Sequence, residues 1–206
     1  MPGRPRSPLA MVVLAMLREQ PMHAYRIHEL INERGKNAIV NVAQRNSVYQ
    51  AIDQLVRAGL IGVRATSRDE GRPERVAYEL TQDGQQALEE WLTASLSVPA
   101  REFPQFPAGL AFIMLVPPKQ AIAALKRRAQ TLERQLEADT ATLTQVRKSG
   151  LPRLFLVDDE YRLAMARAEL AWVRALLADL RAKKITWSEK YLREIAARFS
   201  APPGER

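Results

Sequence analysis

The chain reads as mainly α-helical with a small β-hairpin: an N-terminal winged helix-turn-helix followed by a C-terminal antiparallel long-helix dimerisation domain. Three observations predict this. Three short amphipathic segments precede two β-branched runs that flank a polar loop containing Gly71 and Pro73. From Lys119 to Ser149 there is no proline or glycine, and the apolar residues keep a heptad register. A second long apolar stretch follows the break at Gly150 and Pro152. The expected division is 1–84 for the winged helix, 85–107 for a connecting helix and proline-rich linker, and 108–200 for the helical dimerisation domain.

Each element has a local cause. Ser7 precedes Pro8 as an N-cap, and the run from Leu9 to Leu17 is apolar enough to be buried on most sides. Pro21 opens a second segment in which Tyr25, Ile27, Leu30 and Ile31 recur near helical spacing, stopped by Gly35. A third helix is expected from about Asn46 to Ala58, with Val48, Ile52, Leu55 and Val56 on its inner face. The hairpin strands are 60–66 and 75–81. Thr81 is placed to cap a helix over about 82–96 that carries Ala87, Leu88, Trp91 and Leu92.

Pro117 and Pro118 can start the next helix, because the missing amide donors are harmless there. Its heptad frame runs Ile122, Ala129, Leu136, Leu143 at one core position and Leu125, Leu132, Asp139, Val146 at the other, Asp139 being the polar exception. The last long helix, about Phe155 to Lys184, has one stripe of Leu163, Ala166, Leu170, Val173, Leu177 and Leu180. A flanking stripe holds Tyr161, Met165, Ala168, Trp172 and Leu176. A helix apolar over so wide an arc needs two packing partners. One is the preceding helix. The other is the same pair in a second subunit, or else the 82–96 helix and the segment 186–199 in a monomeric bundle. On the first reading Leu125, Leu132, Leu136, Leu163, Leu170, Trp172 and Leu177 carry dimerisation.

Composition narrows the function. With 47% apolar residues over 206 the chain has ample material for a core. It holds no cysteine, so it has no disulfide framework, thiolate nucleophile or Cys-ligated metal, and the cytoplasm is the expected compartment. The longest uncharged run, Phe103–Pro118, is interrupted by four prolines and is not a spanning helix. The N-terminus imitates a signal peptide but lacks a small-x-small cleavage site before Arg18-Glu19-Gln20-Pro21. The net charge of +8 favours a polyanionic partner. Residues 1–81 hold 12 basic and 8 acidic side chains and residues 82–206 hold 19 and 15, so both parts are +4 and charge alone identifies no binding domain.

An enzyme is not indicated, and neither a metal nor a cofactor is expected. His23 and His28 are five residues apart, not the i, i+4 spacing that best pairs imidazoles on one metal. There is no glycine-rich phosphate loop. Asp158-Asp159-Glu160 starts a long helix, where carboxylates favour the N-terminal dipole, and capping is preferred there over a cation site. Nucleic acid fits better. The third helix leaves Asn46, Ser47, Gln50, Gln54 and Arg57 opposite its apolar stripe, with Arg45 just before it. Amide and hydroxyl groups at a helix N-terminus suit base edges and phosphates, and Tyr49 can reach a phosphate oxygen. Arg68, Arg72 and Arg75 in the wing, and Arg4 and Arg6 in the N-terminal arm, suit phosphate or minor-groove contacts. Asp69, Glu70 and Glu74 dilute the wing.

The run Asn46-Ser47-Val48-Tyr49-Gln50-Ala51-Ile52, closing on Gly59-Leu60-Ile61, and the later Arg75-Val76-Ala77-Tyr78-Glu79-Leu80-Thr81-Gln82-Asp83-Gly84, resemble the PadR family of bacterial transcriptional regulators. Ala24-Tyr25-Arg26-Ile27 is similar to the family's Gly-Tyr-x-Ile. More loosely, Phe106-Pro107 to Phe112, Leu125 to Arg128 and Ala168 to Trp172 resemble the long two-helix extension of the larger, AphA-like subfamily. Asn46 and Gln50 stand where the family often has Gly and Pro, and Ala24 replaces a Gly, which bears on operator sequence more than on fold.

The resemblance implies a homodimer addressing a pseudo-palindromic double-stranded DNA operator, usually to repress, with Tyr25 joining the DNA-binding set. It also implies a small-molecule effector that alters the relative orientation of the two parts. Trp91, Phe103, Phe106, Phe112, Tyr161 and Trp172 are the aromatic candidates for that site; aromatics at helical spacing also serve as plain core. The alternative outside gene regulation is a protein-protein adaptor with a winged-helix docking surface and a coiled-coil-like arm. No membrane partner is expected.

Overall fold

The computed structural model describes residues 7–42, 45–67 and 75–199. The chain divides into two compact units between Glu102 and Phe103. In the first, α1 (Pro8–Glu19), α2 (Ala24–Glu33) and α3 (Arg45–Arg57) are followed by strands β2 (Ile61–Ser67) and β3 (Arg75–Leu80) and by α4 (Gln82–Ser97). The strand β1 (Met22–His23), unforeseen in the sequence, pairs with β3 and makes it the centre of a sheet ordered β1-β3-β2. Met22 and Val63 both face Tyr78 across antiparallel ladders, and the β2 register shifts between Val63 and Ala65. The extra residue, Arg64, is a bulge on an edge strand.

Each boundary is chemically marked. Ser7 Oγ accepts from the amide of Ala10 at 3.0 Å and Pro8 fills the first helical position. Thr81 Oγ1 accepts from the Gly84 amide at 3.0 Å and donates back toward the Leu60 carbonyl at 2.9 Å, joining the start of α4 to the end of the α3 turn. Gly35 and Gly59, at φ of 65° and 70°, end α2 and α3 in the left-handed region.

The core of this unit is a single cluster. Val13 and Leu14 of α1, Ile27 and Ile31 of α2, Val48, Ile52 and Leu55 of α3, and Leu60 and Ile61 are all nearly sealed from solvent. Two expected core positions are corrected. Val56 and Tyr25 are exposed, and Ala51 and Ala24 hold the inner positions beside them. The 82–96 helix is not a connector: Ala87, Leu88 and Trp91 complete the first unit's core.

Arg34 and Glu19 tie the end of α2 to the end of α1, Nη2 to Oε2 at 2.8 Å. The hydrogen bonds from Arg34 hold the Glu19 carboxyl below the usual carboxylate range, against a small opposing effect of burial. A carboxyl depressed in the folded state contributes stability that is full above its unfolded pKa and is lost as pH falls through the folded one. Because both groups are about half exposed, the contribution is screened to roughly 0.5 kcal/mol or less. Glu19→Gln is expected to lower stability by that amount near neutrality and to converge on the wild type at low pH, flattening the acid limb of a melting-temperature-versus-pH curve.

The second unit begins with α5 (Gln105–Ala111), a short helix inside the stretch read as a proline-rich linker; its Pro107 sits in the first turn, where proline is tolerated. Then come α6 (Pro118–Lys148), α7 (Val157–Arg181) and α8 (Glu189–Phe199). Between α6 and α7, Gly150 adopts φ of 82° and Arg153–Leu156 form a 3-10 turn, so α7 begins two residues later than its periodicity suggests. Ion pairs Arg147–Glu160, Asp139–Arg162 and Arg128–Glu169 step away from this turn along both helices, which makes the hairpin antiparallel. Asp139, the polar exception in the heptad, is accommodated by Arg162 at 3.5 Å. The acidic trio at 158–160 lies in the first turn of α7 but makes no side-chain cap; Glu160 instead binds Arg147 and Arg153 at 2.7 and 3.0 Å.

The hairpin seam is formed by Leu125, Ala129, Leu170, Val173, Leu177 and Leu180, with Leu143, Leu156 and Leu163 as a second cluster nearer the turn. Leu125, Leu163, Leu170 and Leu177 are buried within the chain's own hairpin, and Leu132 and Leu136 are half-buried against it. The flanking stripe is the one left outside: Tyr161, Met165 and Trp172 are between 49% and 65% exposed.

Candidate nucleic-acid interface

Helix α3 is sorted by face. At 3.6 residues per turn, buried Val48, Ala51, Ile52 and Leu55 mark its inner side. Asn46, Tyr49, Gln50, Asp53 and Arg57 fall within an arc of about 100° on the other. All five are exposed, as is Gln54 at the margin, while Ser47 is half-buried. The arc spans ~16 Å along the helix, enough to follow several base pairs in a major groove. It offers amide, hydroxyl, carboxylate and guanidinium groups, which together are able to donate and accept at base edges.

The sheet borders this face. Tyr78, at the middle of β3, is half-buried; its phenol is pushed up chiefly by burial and further by the proximity of Asp53 and Tyr49. The outer side of the sheet carries His23, whose Nδ1 donates to the Val76 carbonyl at 2.9 Å and whose ring stacks on Tyr25 at 6.0 Å. Tyr25 itself is half exposed. His28 Nε2 faces the Val42 carbonyl at 3.4 Å, so both histidines are engaged by backbone. Among the described residues no group of three His, Asp or Glu side chains could hold a metal ion, and no helix is long and apolar enough to cross a membrane.

Of the sequence-based DNA-binding set, Asn46, Tyr49, Gln50 and Gln54 share the exposed side of α3, Ser47 is at its edge, and Tyr25 is on α2. Arg45 opens α3 and Arg75 opens β3, as backbone positions. Arg4, Arg6, Arg68 and Arg72 lie outside the described residues. Asp53, at the centre of the polar arc, is a carboxylate on a face otherwise marked by cations and amides. Arg57 on the same arc gives its Nε to the Asp53 backbone carbonyl at 3.2 Å.

The aromatic candidates separate. Trp91 is buried in the first unit's core, and Phe103, Phe112 and Tyr161 are well exposed. Phe106 and Trp172 do come together, edge to face at 6.2 Å, beside a cavity of about 770 Å³ in the second unit. Pro107, Leu110, Arg128 and Glu169 are among its other lining residues. The Arg128 guanidinium lies 3.5 Å over the Phe106 ring while its Nε donates to Glu169 at 2.6 Å. That pair is 41 residues apart in sequence and left no local signal.

Residues 13–90 match the sequence profile of the Transcriptional regulator PadR-like family. None of the curated proteins compared matches the chain. Several solved structures share its fold, among them three PadR and AphA structures. Bacillus subtilis PadR in complex with operator DNA is 20% identical, over 84% of this chain and 99% of that one, with a TM-score of 0.68. Bacillus subtilis PadR in complex with p-coumaric acid is 18% identical over 84% and 98%, with 0.64. The Vibrio cholerae virulence activator AphA is 19% identical over 85% and 99%, also with 0.64. The match spans α1 to α4, the same elements that build the polar face and the sheet beside it. Over residues 13–90 the chain is therefore similar to the Transcriptional regulator PadR-like family.

Proposed function

We propose that the protein is a sequence-specific DNA-binding repressor, acting in the cytoplasm as a homodimer on a pseudo-palindromic operator. The observation that carries this reading is the exposed arc of α3, polar throughout and backed by a sealed core, within a PadR-like domain. In this reading the first unit binds DNA and the second dimerises. Asn46 and Gln50 read base edges, Tyr49 and Tyr25 reach phosphates, and Arg4 and Arg6 of the arm, Arg45 at the start of α3, and Arg68, Arg72 and Arg75 of the wing add sequence-independent affinity.

The dimer seam is assigned to the flanking stripe of α7. Tyr161, Met165, Ala168 and Trp172 form an apolar face that the chain's own hairpin leaves uncovered. Met165→Glu is expected to convert a dimer to a monomer in sedimentation equilibrium while leaving the helical circular dichroism intact, since the side chain is exposed in the single chain. Leu170→Ala, inside the hairpin, is expected instead to destabilise the second unit by ~2–5 kcal/mol.

The cavity beside Phe106 and Trp172 is the proposed effector site. Its volume suits a planar aromatic molecule, and p-coumaric acid is bound by the Bacillus subtilis PadR structure of like fold. Trp172 belongs both to the cavity and to the exposed stripe, so a ligand there can bias dimer geometry, provided that it binds one geometry more tightly. Titration with p-coumaric acid is expected to change tryptophan fluorescence, and Trp172→Phe to abolish the change. Hydroxyl-radical footprinting of the DNA upstream of the protein's own gene tests the whole reading. Two protected patches on one face of the duplex, one helical turn or a multiple of it apart, are expected. Uniform cleavage, with a stable protein partner recovered instead, would favour the adaptor.

A further inference from the structure

We infer that Asp53 reads a base, accepting a hydrogen bond from the exocyclic amino group of a cytosine in the major groove; this rests on the DNA-binding reading above.

Asp53 sits near the centre of the polar arc of α3, between Tyr49 and Gln50 one turn before and Arg57 one turn after. It is exposed. Arg57 stands at i+4, where a guanidinium would ordinarily neutralise the carboxylate, yet its Nε is turned to the Asp53 backbone carbonyl at 3.2 Å. No other cation pairs with Asp53 among the described residues. An unpaired carboxylate in the middle of a face that meets a polyanion is repelled by phosphates at the groove edges. It is tolerated only where the groove floor presents donors. An ionised carboxylate only accepts. Guanine and thymine show acceptors to the major groove, and adenine places its N7 acceptor beside its amino donor. Cytosine shows the amino donor with no adjoining acceptor, and so it is the base that a lone carboxylate favours.

The test is selection from a pool of duplexes randomised across the half-site, with the wild-type chain, Asp53→Asn and Asp53→Ala compared at one salt concentration. The wild type is expected to enrich cytosine at one position per half-site. Asp53→Asn is expected to shift that position toward adenine and Asp53→Ala to flatten it, with discrimination falling ~5- to 100-fold. Unchanged preferences elsewhere in the site report that the variants are folded. Identical preferences at every position in all three proteins would overturn the assignment and leave the DNA-binding reading standing. A wild type that selects no sequence would overturn both.

Discussion

Replacing Gly84 by alanine is expected to destabilise the first unit by about 3 kcal/mol or more, lowering its melting temperature by roughly 10–20 °C. Gly84 is the third residue of α4 and its amide is held by Thr81 Oγ1. A Cβ at this position would run into the backbone carbonyl of Leu60 and come within 2.9 Å of Leu80 Cδ1. The Leu80 side chain can turn aside, but the backbone carbonyl cannot. The Leu60 carbonyl also accepts from the Thr81 amide at 3.2 Å and from its hydroxyl at 2.9 Å, so moving it breaks the junction at which α3, the sheet and α4 meet. Leu60 itself is wholly buried. Gly62→Ala is the matched control. A Cβ there meets only Thr81 Cγ2 at 4.0 Å, and the change is expected to shift stability by less than about 1 kcal/mol. Thermal denaturation of the two variants checks the contrast, and equal melting temperatures would show that α4 does not approach Leu60 this closely.

The second large effect is on DNA. Asn46→Ala and Gln50→Ala are each expected to weaken operator binding ~10-fold or more, with no loss of affinity for random duplex, because base contacts specify while phosphate contacts position. Tyr49→Phe removes only a hydroxyl and is expected to weaken specific and random binding by the same factor. All three side chains leave the core untouched, as Asn46, Tyr49 and Gln50 are exposed, so melting temperatures should stay close to wild type. Competition titrations against unlabelled random duplex separate the two classes. An equal loss on both DNAs for Gln50→Ala would move it from base reading to phosphate contact.

What periodicity could reveal, it revealed well. The inner stripe of α3 was three-quarters legible because a buried face repeats every three to four residues; Val56 lies past one margin of that stripe and is exposed, while Ala51 holds the other. The caps Ser7 and Thr81 were legible because their hydrogen bonds are local. Strand β1 was not, since two residues carry no period and its pairing with Tyr78 and Ala77 lies more than 50 positions away. Helix α5 hid behind its prolines. In the second unit the heptads located both helices but could not say which apolar stripe faces the chain's own hairpin. The aligned leucines Leu163, Leu170 and Leu177 turned out to be internal, leaving Tyr161, Met165 and Trp172 outside. The cavity depended on Arg128 meeting Glu169 and Phe106, a constellation drawn from three helices. As for the interface, amide and hydroxyl side chains were found by their chemistry, whereas Asp53 was passed over because a carboxylate contradicts the simple picture of a basic DNA-binding face.

Fluorescence anisotropy with a labelled duplex from upstream of the protein's own gene, repeated from low to physiological salt beside a scrambled duplex of equal length, tests the central claim most directly. Both affinities should fall with a steep, linear dependence of log K on log salt, and the upstream duplex should remain at least ~1000-fold tighter at physiological salt. Equal affinity for the two duplexes at every salt concentration would contradict it.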